Sequence, residues 1–589
     1  MRRYIVGLLA TVGALCLLAV VGLAVLIATS PFSARSLPQA MVLSVDLRDV
    51  PPESGGGDLL RGGLFAQPRT IVDTIQLLWQ AADDPRVVGL FVDIGDETAG
   101  LGRVQELRQA IAHFRGKGKF AIGFAESLGG DGAHLSDYYL ASALEQIWLQ
   151  PSGSFAVAGL AIETPFLKEG LDRLGIRVEG GKRYEYKSAP DSFTETGYPP
   201  PARENLQRLL DSLYGQFIDD VSRERHIEAG RLRQLIDTVP FTPEKAREEK
   251  LIDRVGYRAD ALDDAWTRAG NTRELVTLAD YAADGERPRP QGDVVAMVRV
   301  SGAIVSGGGR GSPFSEEATA GADDIVEALE QAAAAKEVKA ILLRIDSPGG
   351  TYPAADAIAD AVGRARSAGK PVIVSMGDVA ASGGYLAALR GDVIVAEPTT
   401  ITASIGVFGL WPVADKLLAS LGVNVERLSV GANAGMYSMF QPPTAEQRAA
   451  VARELDHVYA EFTRQVAEFR KLPPTRVDAV ARGRVFSGAD ARRNGLVDEL
   501  GGLQLALNIA KAKAGIAENR AVEIRPFPPE TDNLQKIVDA VLRLTGMQSA
   551  APTLAASREL REFRELLARF GIAQHAGSVR LPPLPPLWR

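Results

Sequence analysis

The sequence predicts an α/β protein in which an N-terminal transmembrane helix is followed by two tandem copies of one strand–helix unit. Three observations carry that prediction: an uncharged apolar run opens the chain, four stretches recur in order at near-constant spacing, and short β-rich runs alternate with amphipathic or alanine-rich ones. Such alternation implies parallel sheets covered by helices.

The apolar run, Tyr4 to Ala28, follows Arg2 and Arg3. A bilayer-spanning helix needs about 20 such residues and the apolar part of a cleavable signal about 7–15, so the run reads as an uncleaved anchor. Arginines before it place the N-terminus in the cytoplasm and the body across the membrane. The remainder is ordinary for a soluble globular body: apolar residues make up 46% of the chain and charged ones 24%, and the net charge is −7. No basic stripe suits nucleic acid. The single cysteine, Cys16, lies in mid-span, so no disulfide forms within the chain.

The repeat is read directly. "VVGLFVDIGD" (87–96) returns as "VKAILLRIDS" (338–347), 251 residues on, and "DYYLASALEQIWLQPSGSFAVAGL" (137–160) as "GGYLAALRGDVIVAEPTTITASIGV" (383–407), about 246 on. "LDRLGIRVE" (171–179) matches "LASLGVNVE" (418–426) at 247, and "FTPEKAREEKLIDRVG" (241–256) matches "FSGADARRNGLVDELG" (486–501) at 245. Self-similarity at one period marks a duplicated domain.

In the first copy the pattern predicts a strand at 87–94, a helix at 102–115, a strand at 119–124, a helix at 135–143, a strand at 146–149 and helices from 203 onward. The second copy predicts strand 338–346, helix 353–368, strand 371–376, helix 382–389 and strand 392–396. The charged, proline-bearing stretch 284–293 reads as a linker, and "SGGGRGSPFS" (306–315) as a mobile loop. The expected division is an anchor over 1–36, a first unit over 37–285, a second over 286–510, and an extension with a proline-rich tail over 511–589.

The copies differ where chemistry is expected. The second carries "RIDSPGG" (344–350) where the first has "DIGDETAG", and glycines in such a turn let backbone N–H groups face an incoming oxygen. It also carries "MGDVAASGGYLAALR" (376–390), with Ser382 before two glycines at a helix start, against "AHLSDYYLA" (133–141). By this alignment the hydroxyl persists as Ser136 and the glycines do not. Ser382 fits both a nucleophile and a helix N-cap.

A serine nucleophile needs a base, normally His, or Lys held neutral by burial. His113, His134, His226, His457 and His575 are the histidines, and none lies within 70 residues after Ser382. Lys187, in "YEYKSAPD" of the first copy, falls opposite Ala434 and is the lysine candidate. No metal or other cofactor is predicted, since the sequence has no HExxH and only one cysteine.

Together the anchor, "YKSA", "SPGG", "MGDVAASGGY", "TASIGVFG" (402–409) and "NGLVDELGG" (494–502) resemble the long form of bacterial signal peptide peptidase, or protease IV, over nearly the whole chain. That family consists of Ser/Lys peptidases with a Clp-protease/crotonase-like fold. The resemblance implies Ser382 as nucleophile, Lys187 as general base from the other half of the chain, and Ser404 as the serine that orients the lysine. It implies the N–H groups of Gly383 and Gly350 as oxyanion donors. It further implies remnant signal peptides and other apolar peptides as substrates, a bacterial inner-membrane location with a periplasmic catalytic body, and a homo-oligomer, a tetramer. Two rival functions remain open on the residues alone: a crotonase-like acyl-CoA enzyme, which a Gly-Gly amide pair would also suit, and an inactive membrane scaffold.

Overall fold

The computed structural model describes residues 37–54, 69–95, 99–130, 134–284, 292–309 and 319–528. The expected anchor, most of the linker, part of the glycine-rich loop and the proline-rich tail lie outside them. Among the described residues no helix is long and apolar enough to cross a membrane.

Each half of the chain builds a parallel sheet from buried apolar runs. The first sheet has six strands in the order Arg254–Val255, Gln146–Leu149, Phe120–Ala125, Val87–Ile94, Met41–Leu47 and Leu275–Thr277. All its pairings are parallel. The second repeats this with Glu499–Leu500, Val393–Ala396, Val372–Ala381, Val338–Ser347, Asp293–Ser301 and Val522–Phe527. It adds an outer pair, Ile401–Ala403 and the antiparallel edge strand Val485–Ser487. Parallel strands covered on both faces are near-continuously apolar, as in the buried run Ala340–Ile345, which includes Arg344.

The helices repeat as strictly. Ile71–Asp83 and Ala322–Ala334, Leu101–Gly116 and Tyr352–Ser367, and Pro200–Arg225 and Ala445–Arg470 have matching lengths. The second unit does not stop at 510, as the sequence reading had it. Strand Val522–Phe527 lies parallel to Asp293–Val298 and completes the second sheet, as Leu275–Thr277 completes the first. Its "AVEIRPF" carries three charged or proline residues, which hid a strand whose faces are only partly buried.

Two features join the halves. Strand Arg177–Arg183 of the first pairs antiparallel with Val407–Val413 of the second, from Val407 opposite Arg183 to Val413 opposite Arg177. Helix Leu101–Gly116 of the first lies against strand Val372–Ala381. On this helix Glu106 takes two bonds from the buried Arg344 guanidinium at 2.6 and 2.7 Å. Glu53 takes the remaining face of the same guanidinium. Gln105 accepts from Thr399 N and Oγ1 at 3.0 and 2.7 Å, and Gln109 donates to both oxygens of Glu397 at 2.9 Å. Asp378 accepts from Arg103 N at 2.8 Å, capping the first unit's helix from the second unit. Removing one partner of such a buried network strands the others, so the relative placement of the halves is tightly held. The strand-to-helix turn bearing Ser382 begins four residues after Asp378.

Candidate active site

Ser382 ends strand Val372–Ala381 and is the N-cap of helix Gly383–Ala388. Its backbone lies at φ 54°, ψ −116°, a region few non-glycine residues occupy, and its N–H donates to Ala403 O at 2.7 Å. Ala403 and Ser404 also have positive φ, at 67° and 51°. Three consecutive-in-space residues in costly conformations mark a place where the fold over-determines geometry, as functional sites do. No side-chain cap bond is made by the Ser382 hydroxyl. It is free of the capping role that the sequence left open.

That hydroxyl instead meets an amine. Lys187 Nζ stands 3.0 Å from Ser382 Oγ, 2.9 Å from Ser404 Oγ and 3.0 Å from Ser404 O. Lys187 is 3% exposed, and burial alone lowers its pKa from 10.5 to about 8. A neutral amine there can give two N–H bonds to Ser404 and keep its lone pair toward Ser382. Among the described residues, Lys187 is the one side chain hydrogen-bonded to Ser382.

The loop carrying Lys187 follows the cross-unit strand Arg177–Arg183, so the antiparallel pairing delivers a first-unit lysine to a second-unit serine. The second unit's segment 482–484 receives it: Tyr184 N and Tyr186 N donate to Arg482 O, and the Arg482 guanidinium pairs with Glu185. Gly483, at φ 91°, is the residue sequence reasoning missed. A Cβ there would lie 2.3 Å from Lys187 N and 2.5 Å from its Cα, so only glycine admits the lysine loop. The signal was available in the repeat, since the first copy has Thr238 at the matching place, 245 residues earlier.

The glycine turn closes beside the hydroxyl. Ser347 Oγ donates to Gly302 O at 2.6 Å and accepts from Gly349 N at 3.1 Å. Gly349 O and Thr351 N bond to Ile304, holding Gly350 against strand Ala303–Val305. A Cβ placed on Gly383 would lie 3.0 Å from Gly350 N. The two amides therefore flank one small space next to Ser382. Neither donates to another described residue. Helix starts leave such donors open and favour negative charge.

All five residues singled out in the sequence, Ser382, Lys187, Ser404, Gly383 and Gly350, thus converge. Ser136 does not hold the post expected of it. Tyr138 and Tyr385 donate their hydroxyls to Leu251 O and Leu496 O, at 2.9 and 2.8 Å, from equivalent helices. Three residues before each stand Leu135 and Ser382, so Ser136 answers to Gly383. The first copy lacks the hydroxyl as well as the glycines.

An uncapped hydroxyl beside a buried amine and two open amides is the equipment of a serine hydrolase acting on a carbonyl. Comparison with known proteins narrows this to a serine peptidase. The family described as Peptidase family S49 matches residues 128–271 and 364–517, and the Clp protease family matches 314–397. The chain is 31% identical over 536 residues to "Protease 4" of Salmonella typhi, covering 86% of this chain and 83% of that protein. It is 31% identical over 497 residues to "Protease 4" of Haemophilus influenzae, covering 81% and 78%. Against "Serine protease SPPA, chloroplastic" of Arabidopsis thaliana the identity is 31% over 471 residues, covering 78% and 68%. The chain belongs to peptidase family S49.

Proposed function

We propose that this protein is a membrane-anchored endopeptidase in which Ser382 is the nucleophile and Lys187 the general base, and that it degrades remnant signal peptides. The 3.0 Å approach of a buried Lys187 amine to Ser382 Oγ is the observation that carries this reading. The neutral amine takes the Ser382 proton as Oγ attacks the peptide carbonyl. The resulting oxyanion is received by the N–H groups of Gly383 and Gly350. Collapse breaks the C–N bond, and Lys187 passes its proton to the leaving amine. A water that gives its proton to Lys187 then hydrolyses the acyl-enzyme, returning Ser382 to its starting state. Ser404 keeps the lysine lone pair on the serine throughout.

The substrate class follows from the protease IV resemblance and from the apolar span at 4–28, which would hold the body beside peptides left in the bilayer. With the N-terminus in the cytoplasm, the catalytic body lies on the periplasmic face of the inner membrane. A fluorophosphonate probe tests the nucleophile: it labels the wild type and leaves Ser382→Ala unlabelled. Equal labelling of both would remove Ser382 from the mechanism.

A further inference from the structure

One carboxylate stands where the two arms of the site diverge. Strands Val338–Ser347 and Val372–Ala381 pair in step up to Ile345 opposite Met376, and resume at Ser347 opposite Ala380. Three residues, Gly377 to Val379, therefore face the single residue Asp346, and the longer strand bulges. At the bulge that strand also changes neighbours: Ile373–Met376 pair with Val393–Ala396, and Val379–Ala381 with Ile401–Ala403. Asp346 Oδ1 accepts from Val379 N at 2.9 Å, so a side chain holds an amide of the bulged segment.

The first copy manages without it. At the 251 offset Asp346 answers to Gly95, where a Cβ would lie 2.6 Å from Arg48 Cα, so the backbone excludes a side chain. Val379 answers to Leu128, which bridges Phe155 as Val379 pairs with Ile401. Leu128 N donates to the backbone, at 2.9 Å from Ser154 O. The side-chain tie belongs to the copy with the nucleophile. Nor does stability account for Asp346. Burial, then the charges of Glu53 and Asp378, push its carboxyl up to about 6, so at neutral pH its ionisation opposes folding.

We propose that Asp346 is a positioning residue: by holding Val379 N it sets the end of strand Val372–Ala381, and hence Ser382, against the oxyanion turn into which its own strand continues. Asp346 directly precedes Ser347, whose hydroxyl ties Gly349 N to Gly302 O, and Gly302 N donates to Asp346 O at 2.9 Å. From its other side the bulge reaches the first unit, where Asp378 holds the amide and side chain of Arg103. Val379 is thus pinned to the turn, and Asp378 to the unit that supplies Lys187. Asp346 acts only through Ser382, and a reacting atom misplaced by about 1 Å loses about 10²-fold in rate.

This role rests on the Ser382 reading, and the test separates the two. Asp346→Ala removes the acceptor, whereas Asp346→Asn keeps an oxygen for Val379 N and turns N–H donors toward Glu53 and Asp378. The full chain in detergent is assayed by kinetics on a peptide ester, by fluorophosphonate labelling with peptide mapping, and by urea melts. Asp346→Ala is expected to lower kcat about 10²-fold, with KM and the pH midpoint of kcat/KM unchanged. Its label still maps to Ser382 but forms more slowly, and its urea midpoint stays near the wild type's, the lost bond being offset by relief of the buried charge. Asp346→Asn recovers most of the kcat. An alanine variant with wild-type kcat and its label on Ser382 overturns the proposal alone. An alanine variant that loses kcat only together with its urea midpoint, or an asparagine variant as impaired as alanine, also overturns it. A wild-type label that maps away from Ser382 overturns the nucleophile and this role with it.

Discussion

Tyr138 and Tyr385 do the same work in the two halves, each fastening a short helix to a leucine carbonyl, yet the residues around them have diverged completely in purpose. Before Tyr385 come Ser382 and two glycines; before Tyr138 come Leu135, Ser136 and Asp137. In the first half the counterpart of the Gly350 amide, Ala99 N, donates to Ser136 Oγ at 3.4 Å, so an amide that could receive an oxyanion is spent on a side chain. In the second half the Gly350 amide is left open. The fold was kept twice and the site built once, with the first half retaining the lysine and a supporting wall. The lesson is that divergence between internal copies locates chemistry that the fold alone does not.

Gly350→Ala is the sharpest break of that contrast. Its Cβ would fall 1.9 Å from the Ile304 carbonyl oxygen, so the turn must move and its amide with it. Loss of an oxyanion donor costs about 10²–10³ in kcat, some 2.7–4 kcal/mol, and steady-state kinetics on a peptide ester should show that loss with KM little changed. A variant with wild-type kcat would place the oxyanion elsewhere.

Lys187→Met should separate stability from activity. The lysine is lowered from 10.5 to about 8 in the folded chain, so between those values the unfolded chain binds more protons and wild-type stability rises with pH. Below about pH 8 both states hold the proton and the wild type bears the full burial penalty. The methionine variant is therefore expected to be more stable at pH 7, by up to about 3 kcal/mol, with the gain fading as pH approaches 10.5. Denaturant melts at pH 7 and pH 10 read this. A variant less stable at pH 7 would mean that the amine's bonds to the two serines outweigh its desolvation.

The smallest effect is the one expected of grafting. Leu135→Ser puts a hydroxyl at the first half's counterpart of Ser382 without the glycines or an amine beside it. No second labelled serine should appear in Ser382→Ala background by peptide mapping. A label on the new serine would show that the hydroxyl suffices.

Much of this was legible in the sequence, for reasons specific to particular residues. The repeat exposed the strand–helix order because apolar runs such as 87–94 and 338–346 are buried on both faces and so read as strands. Lys187 and Ser382 were found as candidates through what each copy lacked. Their 3.0 Å approach was not legible, since it depends on strand Arg177–Arg183 reaching across to Val407–Val413, a pairing of residues over 220 positions apart with no local signature. The counterpart of Ser382 was misread because the offset changes from 251 to 247 within the loop before Leu135, and only the tyrosine bonds fix where. Gly483 escaped because its role is to make room for a distant backbone.

The proposed lysine base comes from one half of the chain and its serine from the other. The pH dependence of kcat/KM reports the titration of the free enzyme's base. With Lys187 lowered to about 8, activity should be low at pH 6 and rise tenfold per pH unit to a plateau above about 8. A profile already flat from pH 5 would contradict it.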